Sequence, residues 1–371
     1  MDRIRLLDTG IVYRNPQPHI KSIHAYFPSV VQLSDGDIIA TMSLGQAFES
    51  IDQHVYSARS KDNGKTWGIT GPLYQSERNG VQTSEYCRIT ATPDDEIVSF
   101  LIKYDRSRKD SGLTNEKNMG FVETELTIMR STDKGQTWSI PAAFSPPLTG
   151  PGFEMCCPII ILKDGRWIIP TSTWRGWDGF CPNGMKAVAL VSYDRGKTWP
   201  DYMDVMEDID KGIIYWESKV LQLHDNRLLA VAWTYDEING RDLPNHYSIS
   251  DPEGKRFSAA QSTNLTGQTL EAILLEDERI LSFYRRVDKP GLWANISRID
   301  GDRWINDFEY HIWGYSDDYL VAQNKNMVSN FQVLRFGAPS VVRLLDGCIF
   351  LAIWVVEDCV SNIRWFKIKV D

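Results

Sequence analysis

The chain has 371 residues, of which 42% are hydrophobic and 24% charged, and its net charge is -9. Such a balance excludes an intrinsically disordered polymer, and the acidic excess argues against nucleic acid and anionic membranes as partners, both of which would be repelled. No run of about 18 apolar residues occurs, and the opening MDRIRLLDTGIVYRNPQP lacks a signal-peptide core, so a cytoplasmic location is expected.

The chain opens with DRIRLLDTGIVYR, a β-rich stretch without a neighbour to pair with. HAYFPSV follows, where His24 and Tyr26 stand just ahead of a proline that opens an apolar run. One phrase then recurs: LSDGDIIA at Leu33, TPDDEIVS at Thr92, LKDGRWII at Leu162, LHDNRLLA at Leu223, LEDERILS at Leu275 and LLDGCIFL at Leu344. Each joins two apolar runs by a turn built on an aspartate with glycine, asparagine or an acidic neighbour, the sequence form of a tight hairpin. The aspartates Asp35, Asp94, Asp164, Asp225, Asp277 and Asp346 are separated by 59, 70, 61, 52 and 69 residues, which implies six equivalent units.

A second phrase closes the early units. SKDNGKTW from Ser60, STDKGQTW from Ser131 and SYDRGKTW from Ser192 share Ser-x-Asp-x-Gly-x-Thr-Trp, with weaker relics in SISDPEGKRF and SRIDGDRW. Asp bonds its own turn backbone, Gly supplies a positive φ and Trp packs the turn onto the sheet, so these are read as structural turns. Four strands per unit and six units predict an all-β fold, a six-bladed β-propeller of four-stranded antiparallel blades, as a single domain over residues 1–371. The last unit lacks such a turn after NIRWFKIKVD, so the N-terminal strand is expected to complete its blade.

These turns, together with FPSVVQLSDG, resemble the Asp-box propellers of the sialidase superfamily over essentially the whole chain. The resemblance implies an arginine cluster gripping a substrate carboxylate and a tyrosine nucleophile polarised by a glutamate. Aligned on Pro28, the first arginine position holds Tyr26; the second falls on Trp233, and the nucleophile position on Ala338. Only the glutamate position is kept, as Glu217 in YWESKVLQLHDN. The acid/base aspartate of the family has Glu49 and Asp52, in FESIDQHVYSARS, as candidates. Neither Tyr nor Trp replaces a bidentate guanidinium, so an ordinary sialidase is not expected.

The blades locate a site independently of that resemblance. Every inner strand runs from one face toward its hairpin, so the residues about six to eleven positions before each hairpin aspartate should ring one mouth of a central channel. That ring contains His24 and Tyr26, Glu85 and Arg88, Glu154, Glu217, and Gln268 with Glu271. The returning strands add Lys103 and Arg106, Trp174 and Arg175 with Trp177 and Asp178, Trp233, Arg285 and Arg286, and Trp354 with Glu357. Arg285 and Arg286 are adjacent, so only one of them can face the channel.

Carboxylates, arginines and indoles converging on one cleft suit sugar chemistry. The expected catalytic pair is Glu217 with Glu85 or Glu154, with Asp52, His24 and Tyr26 as further candidates. Arg88, Trp174, Arg175, Asp178, Trp233, Gln268, Arg285 and Glu49 are the expected substrate-binding groups, with Arg88 and Arg285 able to hold an acidic sugar. Six cysteines are expected as reduced thiols; the adjacent Cys156 and Cys157 match no zinc spacing, and the histidines are scattered, so neither metal nor cofactor is expected. The leading reading is a glycoside hydrolase acting on a small oligosaccharide or glycoside. Alternatives are a polysaccharide lyase with Tyr26 or His24 as base, and a non-catalytic carbohydrate-binding propeller.

Overall fold

A computed structural model describes residues 4–74, 82–286, 288–314 and 333–371. The chain forms two compact units, Met1–Leu113, Val122–Phe144 and Arg335–Asp371 in one, Thr114–Phe121 and Ser145–Leu334 in the other. Each contains three antiparallel sheets. In the first unit these are His24–Gln32, Ile38–Gly45, His54–Ser60 and Gly68–Pro72; Thr83–Ala91, Ile97–Asp105, Thr124–Ser131 and Ala142–Ala143; and Phe336–Arg343, Ile349–Glu357 and Val360–Val370 with Ile4–Tyr13 on the outside. In the second unit they are the split inner strand Gly152–Phe153 and Ile160–Ile161 with Trp167–Trp174, Ala187–Ser192 and Asp201–Met206; Ile213–Gln222, Leu228–Asp236, Arg241–Ile249 and Gln261–Ser262; and Gln268–Leu274, Ile280–Arg285, Leu292–Asp300 and Arg303–Trp313. Counted in chain order from His24, these six sheets are the blades of a six-bladed β-propeller. No α-helix occurs among the described residues.

The N-terminal strand joins the sixth blade as its outermost member, with Ile4 opposite Val370 and Tyr13 opposite Ile363. All six hairpins have one geometry. The residue opening the turn donates its N–H to the carbonyl four positions on, as in Leu33 to Asp37, Leu162 to Arg166 and Leu275 to Arg279. The residue after the aspartate takes a left-handed φ of 93° at Gly36, 61° at Asp95, 89° at Gly165, 74° at Asn226, 69° at Glu278 and 78° at Gly347. Glycine and asparagine suit that conformation; Asp95 and Glu278 hold it at a modest steric cost.

The second strand of a blade is buried on both faces, as in Ile38–Gly45 and Leu228–Asp236, because a neighbouring blade covers each side. This accounts for near-continuous apolar runs where an open sheet would alternate. Blades three and four share a core that includes Ile168, Val191, Val205, Tyr215, Val220 and Leu228.

The Ser-x-Asp-x-Gly-x-Thr-Trp turns are closed hydrogen-bond circuits. In the second, Asp133 accepts from Ser131 Oγ (2.8 Å), Thr137 N (2.9 Å) and Thr137 Oγ1 (2.5 Å), while Gly135 N donates to Ser131 Oγ (2.7 Å). The turns at Asp62 and Asp194 repeat this pattern. The donated bonds hold all three carboxyls down to about 2. Since the folded value lies below the unfolded one, this stabilisation is complete above about pH 4 and is lost as the pH falls toward 2. Urea unfolding across that interval should show stability declining with acid, with a shallower decline in the Asp133→Asn variant.

Candidate functional site

Four inner strands carry a β-bulge at one recurring place, eight residues before the hairpin aspartate: Phe27, Glu217, Thr269 and Ala338, with φ of 51°, 48°, 51° and 47°. A left-handed non-glycine residue costs about 1–2 kcal/mol, and a bulge re-aims the side chains beside it. In the fourth blade that residue is Glu217.

The bulge presents the Glu217 backbone N–H to Glu154 Oε2 at 2.8 Å, so the inner strands of blades three and four are joined through the two glutamates. Both are partly buried. Glu154 is pushed up to about 7, first by burial and then by the charge of Glu217, with the Glu217 amide, the Cys156 thiol and Lys219 opposing the rise. Cys156 Sγ lies 3.2 Å from Glu154 Oε2, and burial beside that carboxyl lifts the thiol well above its ordinary value. Lys219, buried two residues beyond Glu217, donates to the carbonyl of Cys156 and lies 3.5 Å from Glu271 Oε2.

A second network reaches the pair from blades four and five. Arg285 donates through Nε (3.2 Å) and Nη2 (2.8 Å) to Gln268 Oε1, Gln268 Nε2 donates to Asp242 Oδ2 (2.8 Å), and Trp233 Nε1 donates to Asp242 Oδ1 (2.6 Å). Burial lowers Arg285 to about 10, with the charges of Glu217 and Asp242 opposing the fall. Burial also raises Asp242, against the bonds from Trp233 and Gln268. Adjacent Arg286 lies elsewhere, paired with Asp288 and Glu309, as strand alternation requires. Lys219, six residues before Asp225, falls within the same count; Asp242 lies on a third strand, where a count along inner strands has no access.

The remaining sequence-predicted residues make contacts of their own. Trp174 is buried, stacked on Trp216 at 5.6 Å, and donates to the Met119 carbonyl, so it belongs to an aromatic core with Trp233 and Tyr235. Arg175 forms a two-pronged ion pair with Glu237, and Asp178 caps an exposed turn by accepting from Phe180 N. In the first unit, Glu85 is buried with its carboxylate against the Tyr74 hydroxyl and 3.5 Å from His54 Nδ1. Buried Arg88 donates to the Pro28 carbonyl at 2.5 Å. Glu49 accepts from Leu113 N and is raised by burial, and Asp52 accepts from Gln46 N. Tyr26 is enclosed by Phe48 and Trp354, at 5.3 and 5.4 Å between ring centres, and burial pushes its phenol up to about 12. His24 Nδ1 accepts from Ser361 N, and burial lowers the imidazole.

No protein-family description and no curated protein matches the sequence. Solved structures do match in fold. A protein of unknown function from Dyadobacter fermentans superposes with a TM-score of 0.74 at 20% identity, covering 99% of both chains. The intramolecular trans-sialidase from Ruminococcus gnavus, in complex with oseltamivir carboxylate, gives 0.63 at 14% over 94% of both chains. Trypanosoma rangeli sialidase in complex with sialic acid gives 0.63 at 14%, over 93% of this chain and 54% of that one. The fold is a divergent sialidase-like propeller.

Because the Glu217 charge raises Glu154, the Glu217→Gln substitution should lower the Glu154 value below about 7. Carbon-13 NMR of side-chain-labelled glutamate measures this directly; an unchanged or higher value would show that the two carboxyls do not sense one another.

Proposed function

We propose that this protein is a glycoside hydrolase in which Glu154 is the general acid and Glu217 the nucleophile or general base. The observation carrying the reading is the Glu154 carboxyl, kept near neutrality against Glu217 and tied to its backbone N–H. Two carboxyl groups in unlike environments divide the roles that glycosidic cleavage needs. Glu154 donates a proton to the leaving oxygen as the bond to the anomeric carbon breaks, and Glu217 supplies its charge to that carbon or deprotonates the attacking water. Lys219 and Arg285 supply positive charge around the pair, limiting the cost of keeping two carboxyls together.

Sialidase-fold neighbours support a carbohydrate ligand, while Tyr26, Trp233 and Ala338 at the arginine and tyrosine positions of the family speak against ordinary sialidase chemistry. A lyase receives less support. Its base would be Tyr26, raised to about 12 inside an aromatic cage, or His24, whose Nδ1 already accepts a backbone N–H.

Sugar release from a panel of aryl glycosides and oligosaccharides tests the proposal. Glu154→Gln and Glu217→Gln should each reduce kcat by about 10²–10⁴-fold. The wild-type rate should fall as the pH rises through about 7, where Glu154 loses its proton. Undiminished turnover in Glu217→Gln would overturn the assignment. Saturable sugar binding by calorimetry without product from any substrate would make the protein a non-catalytic carbohydrate-binding propeller, and an unsaturated product would make it a lyase.

A further inference from the structure

Blades three and four also line an open pocket of about 230 Å³ that none of the chemistry above uses. Ile209, Ile213, Ile214 and Met185 give it apolar walls. Its polar part is the ion pair between Arg175 and Glu237, whose two short contacts are 2.7 and 2.9 Å. Two glycines shape it: a Cβ on Gly184 would stand 2.2 Å from Ile209 Cδ1, and one on Gly212 would stand 2.6 Å from Ile238 Cγ1, each at a left-handed φ.

The chemistry of this lining selects a class of ligand. Glu237 neutralises Arg175, whose Nε and Nη1 also donate to Met185 Sδ (3.0 Å) and the Asn118 carbonyl (3.1 Å), so the pair attracts neither anions nor cations strongly and offers hydroxyls chiefly the remaining lone pairs of the Glu237 carboxylate. Apolar walls beside a compensated polar pair match a sugar ring, which has C–H faces and hydroxyl edges but no charge. The volume lies below the roughly 300–1,000 Å³ of pockets that take larger ligands, and so suits one ring rather than a chain of them.

The cavity is also spaced from the carboxylates by a rigid element. Ile213 and Glu217 lie on one strand, Ile213–Gln222, four residues apart, which at about 3.3 Å per residue is roughly 13 Å. Trp216, packed against Trp174 and Tyr235 at 5.6 and 4.9 Å, stiffens the strand between them.

We infer that this cavity is a subsite for an uncharged sugar ring, so that the substrate is an oligosaccharide or glycoside carrying a neutral unit a short distance from the bond cleaved at Glu154 and Glu217. The cleavage half of this statement rests on the hydrolase reading; binding of the neutral ring does not. An acidic sugar is the wrong ligand here, because Arg175, the cation among the described lining residues, is already paired.

Methyl NMR of the 13C-methionine-labelled full chain tests this, with the Met185 signal assigned by its loss in Met185→Leu. Titration with methyl glucoside, methyl galactoside, methyl mannoside and glucuronate should shift that signal saturably for at least one neutral glycoside, and equally in Glu217→Gln. Ile209 is 46% exposed, so Ile209→Trp can fill the cavity entrance without disturbing the core, and it should weaken the binding at least tenfold. Glu237→Gln, which leaves Arg175 uncompensated, should shift preference toward glucuronate. No shift with any neutral glycoside, a wild-type preference for glucuronate, or undiminished binding in a folded Ile209→Trp variant would overturn the subsite. A shifted Met185 signal with a fully active Glu217→Gln would sink the hydrolase assignment instead and leave the subsite standing.

Discussion

The hydrogen bond from the Glu217 amide to the Glu154 carboxyl is the contact on which the candidate site depends. It exists because Glu217 adopts a left-handed conformation at a bulge, which turns its N–H out of the strand ladder and toward the neighbouring blade. The steric cost of that conformation is about 1–2 kcal/mol, and a hydrogen bond contributes about 0.5–1.5 kcal/mol, more when its acceptor is ionised. Phe27, Thr269 and Ala338 hold the same conformation at the equivalent place in their blades, so the bulge belongs to the blade, and Glu154 meets the N–H that it turns outward at Glu217. Strain held by surrounding structure at a cleft is a feature of functional positions.

Keeping two carboxyls together requires nearby compensation, and the blades supply it from both sides. Lys219 lies close to Glu271 and donates to the Cys156 carbonyl, while Arg285 is fixed through Gln268 to Asp242 and Trp233. A buried cation without partners would be costly; here each is oriented by groups that themselves have partners. The pair is therefore polarised unequally, with Glu154 raised toward neutrality by burial and by its neighbour's charge.

Regularity made much of this readable from the chain. The hairpin aspartates set the blade count, because one turn geometry with a left-handed residue after the aspartate recurs six times. Counting back from them reaches Glu154, Glu217 and Gln268, the returning strand adds Arg285, and all four meet in the second unit. The same count treated Glu85 as their equal, yet the second inner strand runs without a bulge and its Glu85 packs against Tyr74 and His54. Trp174 and Arg175 likewise end in a stacked aromatic core and an ion pair.

Periodic local chemistry was thus determined by sequence alone: turn residues, the spacing of the hairpins, the apolar runs of strands covered on both faces, and the place of Glu217 eight residues before its hairpin aspartate. Those features act within a few residues of backbone and repeat, so they can be counted. Tertiary structure alone decided which carboxyl meets Glu217, that Asp242 anchors the arginine network from a third strand, and that Arg175 is neutralised by Glu237. Each of those outcomes joins groups roughly 25 to 65 residues apart, or depends on whether a strand bulges, and is fixed by how neighbouring blades pack rather than by any pattern along the chain.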